Sequence, residues 1–200
     1  MKSPNKLTID SAAAYEANAT AFLQARDQSD IGAAQLRTWA QRLPAGAEVL
    51  ELACGGGFPV TRELHAAGLR LWAVESSSTL AEEFRQRFPT IPVQCERVQD
   101  ADFFQRQYQA VVAIGLLFLL SENDQVDLIG RVGSLLQAGG RFLFTAPLAA
   151  CEWVDITTGI ASHALGHERY LACLQLAGLR LMSTWTDEGG NDYWEAERLV

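Results

Sequence analysis

The segment Val49-Leu50-Glu51-Leu52-Ala53-Cys54-Gly55-Gly56-Gly57-Phe58-Pro59 constrains this chain more than any other stretch. An apolar run ends in an acid, glycines follow, and a helix start is expected at Pro59, where proline loses no amide partner. Strand, tight glycine turn and helix is how α/β proteins open a nucleotide site. The glycines let the backbone approach a ligand and adopt dihedrals that a Cβ disfavours. A second apolar run, Leu69 to Val74, ends in Glu75, 18 positions after Gly57. That is close to the roughly 20-residue offset at which an acid reaches ribose hydroxyls. The third glycine of the dinucleotide fingerprint is missing, because Val60 stands there. Glu51, directly before the turn, would repel a pyrophosphate and attract a cation. S-adenosylmethionine, with a ribose, an ammonium and a sulfonium but no phosphate, fits these residues.

At this point the chain resembles the class I S-adenosylmethionine-dependent methyltransferases, whose first motif reads apolar-apolar-acid-apolar-Gly-Cys-Gly-x-Gly. Ala53 stands where that family usually has glycine. The resemblance implies that Glu51, Ala53, Cys54, Gly55 and Gly57 hold the methionyl end of the cofactor. It places Glu75 at the ribose, Ser76 beside the adenine, Glu96, Arg97 and Val98 around the adenine, and Ile114 and Gly115 on the floor. Many small members fold an N-terminal helix over the cofactor, and Tyr15 is the tyrosine that would face it. Gln109 replaces the strand-four aspartate of many relatives, and Phe118 stands where many carry histidine, so no catalytic base is assigned there. The strand-four signature of amino-group methyltransferases acting on DNA or proteins is absent.

The composition, 48% apolar and 20% charged over 200 residues, is that of one globular domain. A net charge of −8 argues against binding nucleic acid or an anionic membrane, since phosphate neutralisation needs a basic face. Cys54, Cys95, Cys151 and Cys173 form no C-x-x-C pair, and a buried reduced thiol is expected for each. Residues 1–10 show no secretory signal, and the longest apolar run, Ala110 to Leu120, is too short to span a bilayer. A cytoplasmic protein, monomer or homodimer, is the expectation.

Along the chain, helices are expected over Ile9–Asp27, with Tyr15, Phe22 and Leu23 on one side, and over Ile31–Leu43. The glycine turn feeds a helix over Phe58–Ala67. Strand Arg70–Val74, a helix running to Phe88, short strand Pro92–Cys95 and strand Tyr108–Ile114 follow. Helix Glu122–Leu136, a turn at Gln137–Gly140 and strand Arg141–Thr145 complete the alternation, which requires crossovers and a parallel sheet. The fold expected from the resemblance is a Rossmann-like, seven-stranded, mostly parallel sheet with helices on both faces. The whole chain is one domain, with residues 1–45 as a helical cap and 146–166 as a substrate loop or lid.

The tail should carry acceptor choice, because ligands lie beyond the carboxyl ends of the strands and the loops there differ. Residues 147–166 read as a long loop or broken helix holding Trp153 and His163. A helix His167–Ala177 and a hairpin of strands Leu179–Asp187 and Asp192–Leu199 follow, the hairpin packing at one sheet edge. Trp153, His163 and Tyr193 are candidate substrate contacts, Trp194 is weighed with Tyr193, and His163 is the one candidate base. His163 and His167 lie four apart, but no third ligand is placed and no metal is expected. The reading is methyl transfer to a small-molecule acceptor. Its alternatives are a non-catalytic cofactor-binding or interaction protein on the same fold, and a nicotinamide-dependent oxidoreductase, which Glu51 and Val60 oppose.

Overall fold

The computed structural model describes residues 10–200, so Ile9 lies outside the described residues. The core is a seven-stranded sheet. Strand β1 (Glu48–Leu52) passes by way of helix α4 (Val60–Ala66) to β2 (Arg70–Glu75), and that by α5 (Ser78–Arg87) to β3 (Val93–Cys95). The chain then returns to the far side of β1 as β4 (Tyr108–Ala113), followed by α6 (Glu122–Leu135) and β5 (Leu136–Thr145). Helices α1 (Ser11–Ala17), α2 (Ala19–Asp27) and α3 (Ala33–Ala40) precede all of these. The strand order is β3-β2-β1-β4-β5-β9-β8, the last two being β8 (Leu179–Thr186) and β9 (Asp192–Arg198), which run antiparallel at the edge. The order therefore reverses between β1 and β4, and a crevice opens outside their carboxyl ends.

The physical basis is plain in β1. Val49, Leu50 and Leu52 are all fully buried, as a parallel strand covered on both faces requires. Val49 faces a cluster with Leu36 and Trp39 of α3, Leu64 of α4 and Phe84 of α5. Leu50 and Leu52 face a second cluster with Leu128, Ile129 and Val132 of α6. Tyr170 and Leu174 of α7 (His167–Leu176) complete it. Successive residues thus feed opposite layers.

Several boundaries differ from expectation for local reasons. The first helix is broken into α1 and α2 at Asn18, whose side-chain amide turns back to donate to Ala14 O at 2.9 Å. Helix α3 starts late because Gly32 is left-handed, at φ 80°. The glycine pair at 139–140 is not a separate turn. It lies within β5, where Gly139 has φ 73° and the register to β4 shifts. Residues 147–166 are neither an open loop nor a broken helix. They contain an antiparallel hairpin, β6 (Cys151–Val154) and β7 (Ala161–Ala164), around a turn at Asp155. Of the cysteines, Cys54 and Cys173 are buried, but Cys95 and Cys151 are exposed, and all are free thiols. No described helix is long and apolar enough to cross a membrane.

Candidate active site

A cavity of about 750 Å³ occupies the crevice. Its floor is the carboxyl end of β1 and the turn behind it. Ala53 and Gly55 there both have φ 56°, a region costly for a residue with a Cβ, by ~1 kcal/mol for Ala53. Glu51 is 3% exposed, and its Oε2 accepts from Thr61 Oγ1 of α4 at 2.7 Å. Burial raises its pKa to about 8, against the opposing hydrogen bond from Thr61. Glu75, at the end of the neighbouring strand, is 5% exposed. Its two oxygens accept from Gly55 N and Ser77 N, each at 2.8 Å, so one carboxylate ties the β1 turn to the β2 turn. Burial raises its pKa also, although these amides oppose the shift.

Glu51, Ala53, Cys54, Gly55, Glu75, Ser76, Ile114 and Gly115 all line this cavity, as do Glu96, Arg97 and Val98 beyond β3. Gly115 has φ 73° and its amide donates to Thr145 Oγ1 at 2.8 Å. Gly57 is the exception. It does not line the cavity, and a Cβ there would meet the Phe88 ring at 2.3 Å, so its glycine serves packing. Cys54, fully buried, keeps its thiol protonated because burial raises its pKa.

The roof has two parts. Tyr15 of α1 and Phe22 of α2 meet edge to face with ring centroids 5.4 Å apart, and both line the cavity. The β6–β7 hairpin supplies Trp153 and Asp155, with Trp153 against Phe118 at 5.1 Å. Tyr15 Oη donates a long hydrogen bond, 3.5 Å, to Asp155 Oδ2, which joins the two parts. Asp155 Oδ1 is taken up by Thr157 N, Thr158 N and Thr158 Oγ1 of its own turn. Tyr193 of β9 lines the cavity, whereas Trp194 is in the core, donating to Ala146 O at 2.8 Å.

His163 does not reach the cavity. It pairs with Glu152 across the hairpin, one register step from Trp153–Ser162, so its side chain points to the opposite face from Trp153. Its Nε2 is buried without a hydrogen-bond partner. His167 packs its ring on Trp194 at 5.4 Å, and the described residues form no group of three metal-binding side chains. Sequence reasoning missed Arg26, Asp155 and Asn191, which all line the cavity. Only Arg26 carried a signal, standing four residues after Phe22 on the same helix side.

A doubly wound sheet with a glycine turn and two buried acids at its switch point defines a protein of the nucleotide-cofactor class. Residues 49–140 match a family model described as "Methyltransferase domain". Among solved structures, the chain is similar to the 1,6-didemethyltoxoflavin-N1-methyltransferase of Burkholderia thailandensis with bound 1,6-didemethyltoxoflavin and S-adenosylhomocysteine. That match has 14% identity and TM-score 0.75, covering 100% of this chain and 94% of the other. The glycopeptide N-methyltransferase MtfA complexed with S-adenosylmethionine gives 19% identity and TM-score 0.67, covering 84% and 94%. Magnesium protoporphyrin IX methyltransferase from Synechocystis PCC 6803 gives 14% and 0.62, covering 99% and 86%. No curated protein matches in sequence. Residues 49–140 thus resemble a methyltransferase domain, and the chain shares the fold of these solved methyltransferases.

Proposed function

We propose that this chain binds S-adenosylmethionine in the cavity at the β1–β4 switch point and methylates a small-molecule acceptor. The observation that carries this is the pair of buried carboxylates, Glu51 and Glu75, on one cavity wall with the glycine turn between them. The donor set suits this cofactor better than a dinucleotide: the acids meet an ammonium and a ribose but would repel a pyrophosphate. Gly55 N, the amide best placed for one, is already given to Glu75. When bound, S-adenosylmethionine supplies an electrophilic methyl group on a sulfonium.

The chain's own residues then have distinct tasks. Glu51 takes the ammonium, which favours its ionised form over the protonated one that burial favours. Glu75 has lone pairs left for the ribose hydroxyls after serving the two amides. Ser76, Glu96, Arg97 and Val98 border the adenine. Helices α1–α2 and the β6–β7 hairpin cap the cavity, excluding water and holding the acceptor in line. Trp153, Phe118 and Tyr193 give the acceptor space apolar walls suited to a flat molecule. None of the histidines lines the cavity, so His163 is dropped as a base, and alignment is the main catalytic device. An acceptor that is protonated at neutral pH needs a proton acceptor, and Asp155 Oδ2 is the wall carboxylate nearest Tyr15. The structural neighbours named for small-molecule acceptors support this reading, as does the net charge of −8, which disfavours nucleic acid.

Isothermal calorimetry with S-adenosylmethionine and S-adenosylhomocysteine, with NAD as control, tests it. Micromolar binding of the first two is expected, and release of S-adenosylhomocysteine then reports an acceptor screen. Binding of neither, or preference for NAD, would discard the reading.

A further inference from the structure

The cavity wall is acid-rich: it carries six carboxylates against two guanidiniums, Arg26 and Arg97, and no lysine or histidine among the described residues. Most of these acids have work already. Glu51 and Glu75 are assigned to the cofactor. Asp10 pairs with Arg97, and Glu96 is exposed to solvent. Asp192 accepts from Leu148 N at 3.1 Å with one oxygen and from Thr186 Oγ1 at 2.7 Å with the other. Asp155 is left.

Asp155 is 7% exposed, at the turn of the β6–β7 hairpin. Its Oδ1 is saturated by Thr157 N at 3.2 Å, Thr158 N at 2.8 Å and Thr158 Oγ1 at 2.6 Å. Its Oδ2 has only the Tyr15 hydroxyl, 3.5 Å away, and no cation pairs with it among the described residues. Burial, reinforced by the Asp155 charge, raises the Tyr15 pKa, so that hydroxyl stays protonated and acts as a donor. A carboxylate withdrawn from water with one oxygen open is costly, and the open oxygen lies on the cavity wall. Trp153 and Asp155 both line the cavity while Val154 between them is 63% exposed, so alternation puts the pair on the inner side of the hairpin. Two residues along a strand is about 7 Å, a span that a fused aromatic ring with an N–H on its edge can bridge. Phe118 walls the same space, tilted against Trp153 at 5.1 Å.

We infer that Asp155 selects the methyl acceptor: a flat nitrogen compound, neutral or cationic, whose edge N–H donates to Oδ2 while its ring lies on Trp153. The carboxylate repels carboxylates, phosphates and phenolates. Nitrogen is favoured over oxygen because the surplus of acids on the wall suits a group able to carry positive charge. This rests on the methyltransferase reading and deepens it by naming the acceptor class.

The test uses the full chain saturated with S-adenosylhomocysteine and three probes of one shape, titrated by ligand-detected NMR. They are 2-aminoquinoline, 2-methylquinoline, which lacks the N–H donor, and quinoline-2-carboxylate, which carries an anion instead. Wild type should bind 2-aminoquinoline ~10-fold more tightly than 2-methylquinoline, and the carboxylate most weakly. Asp155→Asn keeps an oxygen for its own turn and puts an amide donor at the Oδ2 position. It should bind 2-aminoquinoline and 2-methylquinoline within ~2-fold of each other, and its binding of S-adenosylhomocysteine reports that it is folded. A wild-type preference under ~3-fold, no saturable binding of 2-aminoquinoline, or an unchanged preference in Asp155→Asn overturns the inference. Preference for the carboxylate overturns it too, by giving Arg26 the selecting role. If wild type does not bind S-adenosylhomocysteine, the methyltransferase reading falls instead, before any quinoline is added.

Discussion

Helices α1, α2 and α3 are each of similar length, yet the α1–α2 pair and α3 are attached to the sheet in opposite ways. Helix α3 buries Ala33, Leu36, Trp39 and Ala40 against β1 and α4. Helix α1 buries no residue and α2 only Ala19. The α1–α2 pair is held instead by polar clasps on its rim: Asp10 to Arg97, Glu16 to Ser77, Ser78 and Thr79, and Asp27 to Arg87. Its inner side, with Tyr15, Phe22 and Arg26, gives onto the cavity. A segment whose contacts are exposed hydrogen bonds opens at lower free energy than one with a buried apolar face. By that principle the α1–α2 cap should open at lower free energy than α3 in the body, and that is the expectation the following predictions test.

The largest effect should come from attacking the body side. Trp39 is 1% exposed, and its Nε1 donates to Glu195 Oε1 at 3.1 Å. Trp39→Ala should cost ~3–5 kcal/mol in denaturant unfolding, or prevent folding altogether. A loss below ~1 kcal/mol would mean that α3 is attached as loosely as the cap.

Next is the floor of the cavity. Glu75→Ala removes the acceptor shared by Gly55 N and Ser77 N and, on the proposed function, the group assigned to the ribose. It should weaken S-adenosylhomocysteine by at least ~1.5 kcal/mol in calorimetry. Unchanged affinity would remove Glu75 from the ribose and leave it as a brace between two turns.

Glu51 sharpens the comparison by pH. Its folded pKa, about 8, lies above the ordinary carboxylate value of 4.5. The folded protein therefore holds a proton that the unfolded chain gives up. This contribution to stability is complete below pH 4.5 and is lost as pH rises through about 8. Binding has the opposite sign, because a ligand ammonium needs the carboxylate, so affinity should rise as pH approaches 8. Glu51→Gln should flatten both profiles in thermal unfolding and in calorimetry. A variant that keeps the wild-type slopes would show that another group titrates.

Much of this was legible in the sequence because glycine and acid placement report backbone geometry directly. The turn at Gly55, the acid Glu75 on the next strand and the cap at Ser77 each follow from local chemistry, and the parallel strands from apolar runs. What was not legible depended on partners distant in sequence. Gly57 reads as a ligand glycine until the Phe88 ring is seen beside it. His163 reads as a candidate base because composition cannot tell the two faces of a short hairpin apart, and one register step decides them. Cys151-Glu152-Trp153-Val154 is too short for its alternation to announce a strand. Arg26 shares a helix side with Phe22, but its place on the cavity wall and its lack of a hydrogen bond or ion pair among the described residues appear only in space.

The smallest effect is the most diagnostic for the cap. Glu16 reaches from α1 to the start of α5, where its oxygens accept from Thr79 Oγ1 at 2.7 Å, Thr79 N at 3.1 Å and Ser78 Oγ at 3.1 Å. The Ser77 hydroxyl also donates to it, and these bonds, led by that one, lower its pKa to about 2. A carboxylate lowered in this way holds its clasp above pH 4.5 and loses it as pH falls towards 2. Because the clasp lies on the surface, Glu16→Ala should change global stability by less than ~1 kcal/mol. Hydrogen exchange should nonetheless quicken ~10-fold in residues 11–17 while β1 and β4 keep their protection. Tyr15 sits one residue before Glu16 in the same helix, so the same opening should expose the cavity and speed ligand release more than it slows capture. If exchange in α1 is unchanged, the cap is anchored by Tyr15 and Phe22 rather than by its rim. If exchange rises throughout the sheet, α1–α2 is body after all, and the contrast with α3 fails.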